Sequence, residues 1–512
     1  MSDSTHVVYL DYAATTPVDP VVSRAMLECL GADGDFGNAA SATHAYGTRA
    51  AARIDRARAQ VSALIGAEAD EIVFTSGATE SANLAILGAA RANADRGRHI
   101  VTSRIEHKAV LDTCRHLEKE GFRVTWLDPD RDGVIEPSVV RGALRADTVL
   151  VTLMHANNEI GTIQDLAAIG AICAERGVLF HTDAAQSVGK IEVDVRRCPV
   201  DLLTFTAHKI YGPKGIGALY VRRGRRGFVQ PVNFGGGQER GLRPGTLATH
   251  QVVGFGAACE IAGRSLLREP ERLCALRDRL WAGLAALEGA HLNGAAAARL
   301  PGILNVSFEG VEGESLVAAL PQLAVATGSA CNSASGEPSY VLRALGRDSA
   351  LAQSSLRFSL GRGTTEAQID RAVGQVLAAV RRLRALSPGS PDRDGWGQSA
   401  ATAGLTLITG EAGGPKQEAW IRFELAVEDD IVREARFKSY GCPHTVDVTS
   451  WLARQLPGRH REALLPGAPQ DWAQARAVPV GKLGRLLVVE DALQDCVRHW
   501  HSGESRRINV LD

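Results

Sequence analysis

Short apolar runs alternate with longer segments of mixed polarity through the first two-thirds of the chain. The runs have the length of strands, and the segments between them have the length of helices. The predicted strands are 72–74, 99–102, 123–127, 148–154, 178–182 and 202–206. This repetition is typical of α/β proteins whose parallel sheet is covered on both faces. In such sheets, ligands bind in the loops beyond the carboxyl ends of the strands.

The remaining third of the chain divides into two further units. A helical pattern over 259–287, strand-like runs over 302–308 and 354–360, and a helix over 365–386 predict a smaller α+β domain. Residues 387–403 are dense in Pro, Gly and Ser, which predicts a linker. After it, a third unit begins with a predicted hairpin and continues with a helix. These elements are predicted over 420–427, 431–440 and 445–455.

The composition excludes several classes of protein. The 512 residues are 45% hydrophobic and 22% charged, which is ordinary for a folded globular chain. The net charge of −1 gives no reason to expect nucleic acid or an anionic membrane as a partner. The apolar runs fall far short of the ~20 residues that span a bilayer, and no export signal is visible, so we expect a cytoplasmic protein. The nine cysteines are scattered singly, which predicts neither a disulfide framework nor a metal site.

Lys209 is a candidate for amine chemistry. It is one of eight lysines and comes just after the predicted strand 202–206. Thr206 and His208 flank it, and Gly212-Pro213 follows. A lysine partly desolvated in such a place has a lowered pKa and can form a Schiff base. On this segment alone, a structural lysine held in an ion pair is the alternative.

Two further segments follow strands and suit the same chemistry. Asp183 could keep a pyridinium nitrogen protonated, as in pyridoxal phosphate enzymes, although a helix-capping role is the alternative. Residues 76–80 lie between a strand and a helix, where free N–H groups favour a phosphate, although the segment also reads as an ordinary turn. Each signal is weak alone. Their co-occurrence as amine, carboxylate and phosphate cradle strengthens all three.

The order of longer motifs identifies a family resemblance. The segments are 9–17, 74–81, 106–110, 155–159, 183–187, 207–215, 235–240, 328–331 and 355–362. In this order they closely resemble the cysteine desulfurases of iron–sulfur cluster assembly, which are fold-type I pyridoxal-phosphate enzymes. The resemblance covers 9–388. It implies a large parallel-sheet domain over about 15–260 and a smaller α+β domain from 1–14 and 261–386.

The resemblance also implies a role for each matching residue. Lys209 would form the Schiff base with pyridoxal 5'-phosphate, His107 would stack on the ring and act as acid and base, Asp183 would pair with the ring nitrogen, and Gln186 would pair with the phenolate oxygen. Ala78, Thr79, Thr206 and His208 would hold the phosphate, and Thr246 would reach the phosphate of the other subunit of a homodimer. Asn158, which would also contact the cofactor, and Arg357 would hold the substrate carboxylate.

Cys331 is the candidate nucleophile. It lies in a run of small and polar residues, 326–338, which predicts an exposed loop. The resemblance implies that L-cysteine is converted to L-alanine and that a persulfide is left on Cys331, which supplies sulfur to an iron–sulfur scaffold or another acceptor protein. An aminotransferase or a selenocysteine lyase is the alternative, and Cys331 in its loop disfavours it.

The C-terminal unit, 404–512, resembles the iron–sulfur scaffold proteins that receive such a persulfide. The matching segments are 434–443, which contains Cys442, and 489–493. The family binds its cluster through three cysteines, but the segments 410–416 and 481–486 contain none. Cys496 reads as a packed apolar residue, so the unit lacks the ligands for a [2Fe–2S] cluster. We therefore expect a regulatory or recruiting binding module, with Cys442 as a candidate sulfur relay.

Overall fold

The computed structural model describes residues 7–327, 338–385, 405–414, 419–479, 482–502 and 506–507. Cys331 and the predicted linker 387–403 lie outside the described residues. The helices are α1 (Pro20–Leu27), α2 (Ala45–Leu64), α3 (Ala78–Ala92), α4 (Lys108–Lys119), α5 (Pro137–Ala143), α6 (Leu166–Glu175), α7 (Thr249–Ser265), α8 (Glu269–Leu284), α9 (Gly313–Ala318), α10 (Tyr340–Ala344), α11 (Ser349–Gln353), α12 (Glu366–Ala385), α13 (Pro443–Ala453), α14 (Pro469–Ala475) and α15 (Leu483–Ser502).

The strands form four sheets in the described part of the chain. They are β1 (Val8–Tyr9), β2 (Ile72–Thr75), β3 (His99–Ser103), β4 (Arg123–Leu127), β5 (Thr148–Thr152), β6 (Leu179–Asp183), β7 (Leu202–Thr206), β8 (Gly217–Val221), β9 (Ala290–Leu292), β10 (Ile303–Phe308), β11 (Leu323–Ala324), β12 (Ala326–Thr327), β13 (Ser355–Ser359), β14 (Thr406–Gly414), β15 (Ala419–Glu428), β16 (Ile431–Tyr440) and β17 (Arg506–Arg507).

The largest sheet has the strand order β2-β8-β7-β6-β5-β3-β4. The strands from β3 to β7 are parallel, as predicted, but β8 is antiparallel to both β2 and β7. The sheet is therefore mixed: its parallel part was predicted, and the antiparallel strand β8 was not. Only residues 207–216 connect β7 to β8, which is too short for the crossover that a parallel neighbour needs.

Both faces of this sheet are buried, which confirms that part of the prediction. Successive residues of one strand pack on opposite faces of the sheet, in different apolar clusters. Val73 packs on one face, and Phe74 packs on the other. Leu179 and Phe180 divide in the same way. Continuous apolar strands of this kind occur where helices cover both sides of a sheet.

A second sheet, with the order β12-β13-β10-β9, forms the smaller α+β unit. Helices α8 and α12 pack on each other beside it, and the N-terminal β1 pairs with β11 of the same region. The helical pattern predicted over 259–287 is two helices, because the chain breaks after α7 and restarts at α8. Pro270 lies in the first turn of α8, where its missing N–H costs no hydrogen bond.

The C-terminal unit contains an antiparallel sheet with the order β16-β15-β14-β17, against which α15 packs. The predicted hairpin is present as β15 and β16, with Trp420 opposite Tyr440. Strand β14 was not predicted, because glycines interrupt its alternation. A Cβ on Gly410 would lie 2.3 Å from the backbone nitrogen of Cys496, so this strand needs glycine to approach α15. Cys496 is buried in the apolar core, as its pattern predicted.

The C-terminal unit contacts the smaller α+β unit at helix α9. Ser315 Oγ donates a hydrogen bond of 2.5 Å to the carbonyl of Gly441, next to Cys442. Lys482 Nζ lies 2.6 Å from Glu314 Oε1, and Arg485 Nη1 lies 4.0 Å from Glu314 Oε2. In the described residues, no helix combines the length and the apolar character needed to cross a membrane.

Candidate active site

A cleft of about 570 Å³ lies at the carboxyl ends of the parallel strands. The sequence-predicted residues that line it are Ala78, Thr79, His107, Asn158, Asp183, Gln186, Thr206, His208, Lys209 and Arg357. These residues come from segments up to 279 positions apart, counting from Ala78 to Arg357, and the sheet edge brings them together. The position agrees with the rule that α/β sheets bind ligands outside these strand ends.

Of the three other sequence-predicted residues, two lie outside this cleft and one is not described by the structure. Thr246 is exposed and does not line this cleft, and its predicted contact is with a second subunit. Cys331 belongs to the residues that the structure does not describe. Cys442 is fully buried at the start of α13, with Sγ 3.3 Å from Thr445 Oγ1.

Lys209 follows β7 in a single helical turn, and its Nζ donates a hydrogen bond to the carbonyl of Ala13. The segment around Ala13 is held against this turn by several bonds. Ala13 N donates to Ser359 Oγ at 2.9 Å, and Thr16 Oγ1 donates to the carbonyl of His208 at 3.0 Å. The amine therefore faces the cleft from a turn that is tied to the N-terminal segment.

Asp183 and His107 are neighbours in the cleft, and the charge of each shifts the pKa of the other. Burial raises the pKa of Asp183, and the nearby His107 and Lys209 oppose this rise. Asp183 Oδ1 also accepts a hydrogen bond of 2.9 Å from Ala185 N in a turn. The next element is strand β7, so Asp183 has no helix to cap, and the helix-capping alternative was wrong.

His107 caps helix α4 through its ring. Its Nδ1 accepts a hydrogen bond of 3.1 Å from Ala109 N, so the neutral ring carries its proton on Nε2. Burial lowers the pKa of His107, Asp183 raises it, and Lys209 lowers it. A neutral ring with an N–H at Nε2 is a hydrogen-bond donor toward a ligand in the cleft.

The N-terminus of α3 lies at one end of the cleft and is the candidate anion-binding end. Its cap residue, Gly77, makes no side-chain cap, and the nearest neighbour of a Cβ on Gly77 would be Thr206 Oγ1 at 3.9 Å. The first N–H groups of the helix therefore face open space. Glu80 Oε2 accepts a bond of 2.6 Å from Ser76 N, and Arg243 Nε holds the same carboxylate at 2.8 Å from Oε1.

His208 lies beside this anion-binding end. Its Nδ1 lies 3.2 Å from Thr15 Oγ1. Burial, with smaller contributions from Lys209, Lys214 and Lys190, lowers the pKa of His208 to about 4. The ring is therefore neutral at physiological pH and offers hydrogen bonds rather than charge.

Arg357 lies at the opposite end, on β13. Its Nη1 donates to the carbonyl of Asn158 at 2.9 Å, and its Nη2 donates to Asp11 Oδ1 at 2.7 Å. Asn158 Oδ1 and Arg357 Nε are buried and have no hydrogen-bond partner among the described residues. Buried polar atoms are rarely left without a partner, so this pair is a candidate site for a polar ligand.

Comparison with known proteins identifies the family. Residues 8–372 match the aminotransferase class-V family. Over 381 residues, the chain is 59% identical to the cysteine desulfurase IscS of Pseudomonas aeruginosa. The aligned residues are 74% of this chain and 94% of that protein. Among solved structures, a NifS-like protein has 36% identity and a TM-score of 0.69, over 74% of this chain and 100% of that one. The structure of SspA in complex with cysteine has 40% identity and a TM-score of 0.62, over 69% of this chain and 98% of that one.

The chain belongs to the class-V aminotransferases and, within them, to the cysteine desulfurases. The fold and enzyme class that the sequence motifs implied are confirmed by these matches. The match to the class-V aminotransferase family ends at residue 372, before the C-terminal unit. The likeness of that unit to iron–sulfur scaffold proteins stays a prediction.

Sequence reasoning missed several residues of this desulfurase cleft. The N-terminal residues Ala13, Ala14 and Thr15 line it, although they lie far along the chain from the strands whose ends carry the predicted site residues. Lys190 was also missed, and its Nζ donates to Gln186 Oε1 at 2.8 Å. The scarcity of lysine and the spacing of four residues from Gln186 were the available signals.

Proposed function

We propose that the cleft binds pyridoxal 5'-phosphate and L-cysteine, and that the enzyme releases L-alanine and leaves the sulfur as a persulfide on Cys331. The observation that carries this proposal is the convergence of Lys209, Asp183 and the open N-terminus of α3 in one cleft. Amine, buried carboxylate and anion-binding helix end suit the aldehyde, the pyridine nitrogen and the phosphate of this cofactor.

The donor set fits the cofactor at each end. The uncapped N–H groups of Ala78 and Thr79, with Thr206 and His208 opposite, would hold the phosphate. Asp183 would keep the ring nitrogen protonated, and a positive partner would favour its ionised form against the effect of burial. Gln186 would donate to the phenolate oxygen, and His107 would cover the ring.

The substrate end is defined by the unsatisfied polar atoms. Arg357 is held in place by Asp11 and by the carbonyl of Asn158, so its remaining N–H groups are oriented before a substrate arrives. A carboxylate bound there would meet Arg357 and the side chain of Asn158. The solved structure of SspA, a relative at 40% identity, is a complex with cysteine, which supports cysteine as the amino acid.

When bound, pyridoxal phosphate serves as an electron sink for the α-carbon of the amino acid. Lys209 would hold the cofactor covalently and, once displaced by the substrate amine, would move the α-proton. His107 would donate a hydrogen bond from Nε2 to the substrate, and it would give up that proton only from its doubly protonated form. The Cys331 thiolate would attack the substrate sulfur, the C–S bond would break with its electron pair left on carbon, and protonation of that carbon would yield alanine.

We infer a homodimer in which Thr246 completes the phosphate site of the other subunit. Thr246 is exposed and follows Arg243, whose side chain is tied to Glu80 at the helix end that would bind phosphate. The loop is therefore anchored beside one phosphate site while its Thr246 end stays open to a partner. A separate scaffold or another thiol protein would accept the persulfide sulfur.

The variants Lys209→Ala and Cys331→Ser test the proposed activity. We expect Lys209→Ala to lose the visible absorbance of covalently bound cofactor and all cysteine-dependent alanine formation. Cys331→Ser should keep that absorbance and its response to cysteine but form no persulfide, as read by mass spectrometry. Turnover by Lys209→Ala, or wild-type sulfide release by Cys331→Ser, would contradict the proposal. Comparing alanine release from cysteine and selenocysteine separates a desulfurase from a selenocysteine lyase.

The C-terminal unit would act on this reaction as a docked module, with Cys442 as a candidate sulfur relay. The bond between Ser315 and the carbonyl of Gly441 favours this role, because it ties the residue before Cys442 to the desulfurase part. The thiol is fully buried, so a relay requires local opening at the start of α13.

Cys442→Ser distinguishes a relay from a module that only covers α9. A relay predicts slower persulfide transfer to an added thiol acceptor, with alanine formation unchanged at saturating reductant. Cys496→Ser is the matched control, because that cysteine is equally buried in the same unit. Equal transfer by wild type and Cys442→Ser would reject the relay, and faster binding of a separate scaffold after truncation at 404 would support a covering role.

A further inference from the structure

Lys190 donates a hydrogen bond from Nζ to Gln186 Oε1, at 2.8 Å. It lies four residues after Gln186, is partly buried, and lines a second cavity that also touches Lys209. Moving a lysine ammonium out of water costs free energy, so a favourable contact is needed to offset that cost. The bond to Gln186 is the contact that the geometry offers.

The bond decides which way the amide of Gln186 points. A lysine ammonium has three N–H donors and no acceptor, so the amide atom facing Lys190 must be the oxygen. The nitrogen then points the other way, and Gln186 Nε2 donates to the carbonyl of Ala13 at 3.0 Å. The same carbonyl accepts from Lys209 Nζ. One of the two hydrogens on Nε2 remains for the cleft, which Gln186 lines.

Without Lys190, the Gln186 oxygen would lose its donor, and only the bond of Nε2 to the carbonyl of Ala13 would oppose rotation of the amide by half a turn. A rotated amide would present an acceptor to the cleft, and an acceptor repels an anionic oxygen. The orientation of Gln186 therefore rests on both neighbours.

We propose that Lys190 is a positioning residue for the cofactor, because its hydrogen bond fixes the Gln186 amide with an N–H donor toward the cleft. The inference rests on the proposed function, since the group that receives this N–H is the phenolate oxygen of pyridoxal phosphate. Lys190 itself acts through Gln186.

The charges around Lys190 agree with this role. Burial, with smaller effects of Lys209 and Arg357, lowers the pKa of Lys190 to about 7, and Glu269 raises it. The protonated amine has only donors and so keeps the Gln186 oxygen toward it, whereas the neutral amine also has an acceptor lone pair, so this orienting effect weakens as Lys190 loses its proton.

A double-mutant cycle tests the proposal in the full-length apoenzyme. The variants are Lys190→Met, Gln186→Leu and the double variant, and the readouts are the Kd for pyridoxal 5'-phosphate and the pH midpoint of the visible band of the bound cofactor. We expect each single variant to weaken binding by about tenfold, which is the loss of one hydrogen bond to a charged group. The double variant should be no weaker than Gln186→Leu, because Lys190 acts through that residue.

Lys214→Met is the matched control, since Lys214 is an exposed lysine that lines the cleft and has no hydrogen bond to Gln186 among the described residues. If Lys190 acts only by its charge, the two lysine variants should shift the pH midpoint alike, and the double variant should show the product of the single losses. Either result overturns the proposal. If Lys190→Met does not fold, as judged by thermal unfolding of the apoenzyme, Lys190→Leu, which also lacks an N–H donor, takes its place in the cycle.

The cycle separates this inference from the proposed function. Unchanged binding in Gln186→Leu shows that Gln186 does not contact the cofactor, which contradicts the assignment of that residue and overturns the role of Lys190 with it. Weaker binding in Gln186→Leu with wild-type binding in Lys190→Met overturns the positioning role alone.

Discussion

At the scale of single residues, the cleft contains ionisable groups whose pKa values burial shifts away from their usual range. Glu159 is a buried carboxylate next to Asn158, and Ser339 Oγ donates to its Oε2 at 2.5 Å. Burial raises the pKa of Glu159 to about 7, although the bond from Ser339 and the charge of Arg357 oppose the rise. Since Ser339 caps α10, this carboxyl joins the substrate end of the cleft to the helix that follows the Cys331 segment.

Glu159→Gln should change the pH dependence of stability. In the folded protein Glu159 holds its proton up to a pH of about 7, whereas in the unfolded chain it loses it near pH 4.5. The folded state thus binds more protons between these values, and wild type loses stability there as the pH rises, by about 3 kcal/mol at most. The glutamine variant has no such loss, so its melting temperature relative to wild type should rise from pH 5 to pH 7 and then level off.

The control for Glu159→Gln is Glu288→Gln, which changes an exposed carboxylate. Its melting temperature should follow that of wild type across the same range. A difference between Glu159→Gln and wild type that stays constant from pH 5 to pH 8 would show that Glu159 is ionised throughout.

At the scale of elements, the N-terminus of α3 has no side-chain cap, and Glu80 in its first turn ties it to neighbouring segments. Glu80 bonds Ser76 N and is held by Arg243, so the helix end is tied to the loop that carries Thr246. The turn before it leaves room over Gly77 rather than filling it with a side chain. The element is therefore built to hold an anion that is not part of the chain.

Thr79→Glu tests this anion site without weakening the helix. Thr79 is exposed in the first turn, where a negative charge stabilises a helix by about 0.3–1 kcal/mol. The same charge would compete with the phosphate, so we expect the Kd for pyridoxal 5'-phosphate to rise at least about tenfold while the melting temperature of the apoenzyme does not fall. Thr79→Gln, which has the same size and no charge, should bind more tightly than Thr79→Glu. Equal affinity of the two variants would place the phosphate elsewhere.

At the scale of the whole molecule, the docking of the C-terminal unit adds a contact that separate domains would lack. Helix α9 meets this unit through Ser315 and through Glu314, which faces Lys482 and Arg485. Exposed ion pairs contribute little alone, but a tether keeps the two surfaces at a high local concentration. The docked state is therefore a property of the full chain.

Glu314→Lys should loosen this contact, because it places a positive charge against Lys482 and Arg485. Loss of about 1 kcal/mol corresponds to about fivefold faster hydrogen exchange in α9 and α13. Adding Lys482→Glu should restore slow exchange by reversing the pair. Glu271→Lys, which changes an exposed glutamate on α8, should leave exchange as in wild type. Unchanged exchange in Glu314→Lys would show that the ion pairs do not hold the unit.

The sequence by itself determined the repeating strands, the two-sided burial and the motifs that place the cofactor residues. Apolar runs such as β6 and β7 predict their own burial because the signal is local, and Lys209, Asp183 and residues 76–80 each follow a strand within a few positions. The hairpin of β15 and β16 was predicted for the same reason, since its alternation is contained in its own residues.

Only the tertiary structure decided the relations between distant segments. The direction of β8 depends on a short connection rather than on its residues, and β14 is a strand because glycines let it approach α15. The spacing of residues along the chain does not show that Ala13 approaches Lys209. Nor does it show that the side chain of Lys190 turns toward Gln186. The same holds for Ser315 and Gly441, which are 126 residues apart. Local patterns encode burial and elements, whereas contacts between elements arise only when the chain is packed in three dimensions.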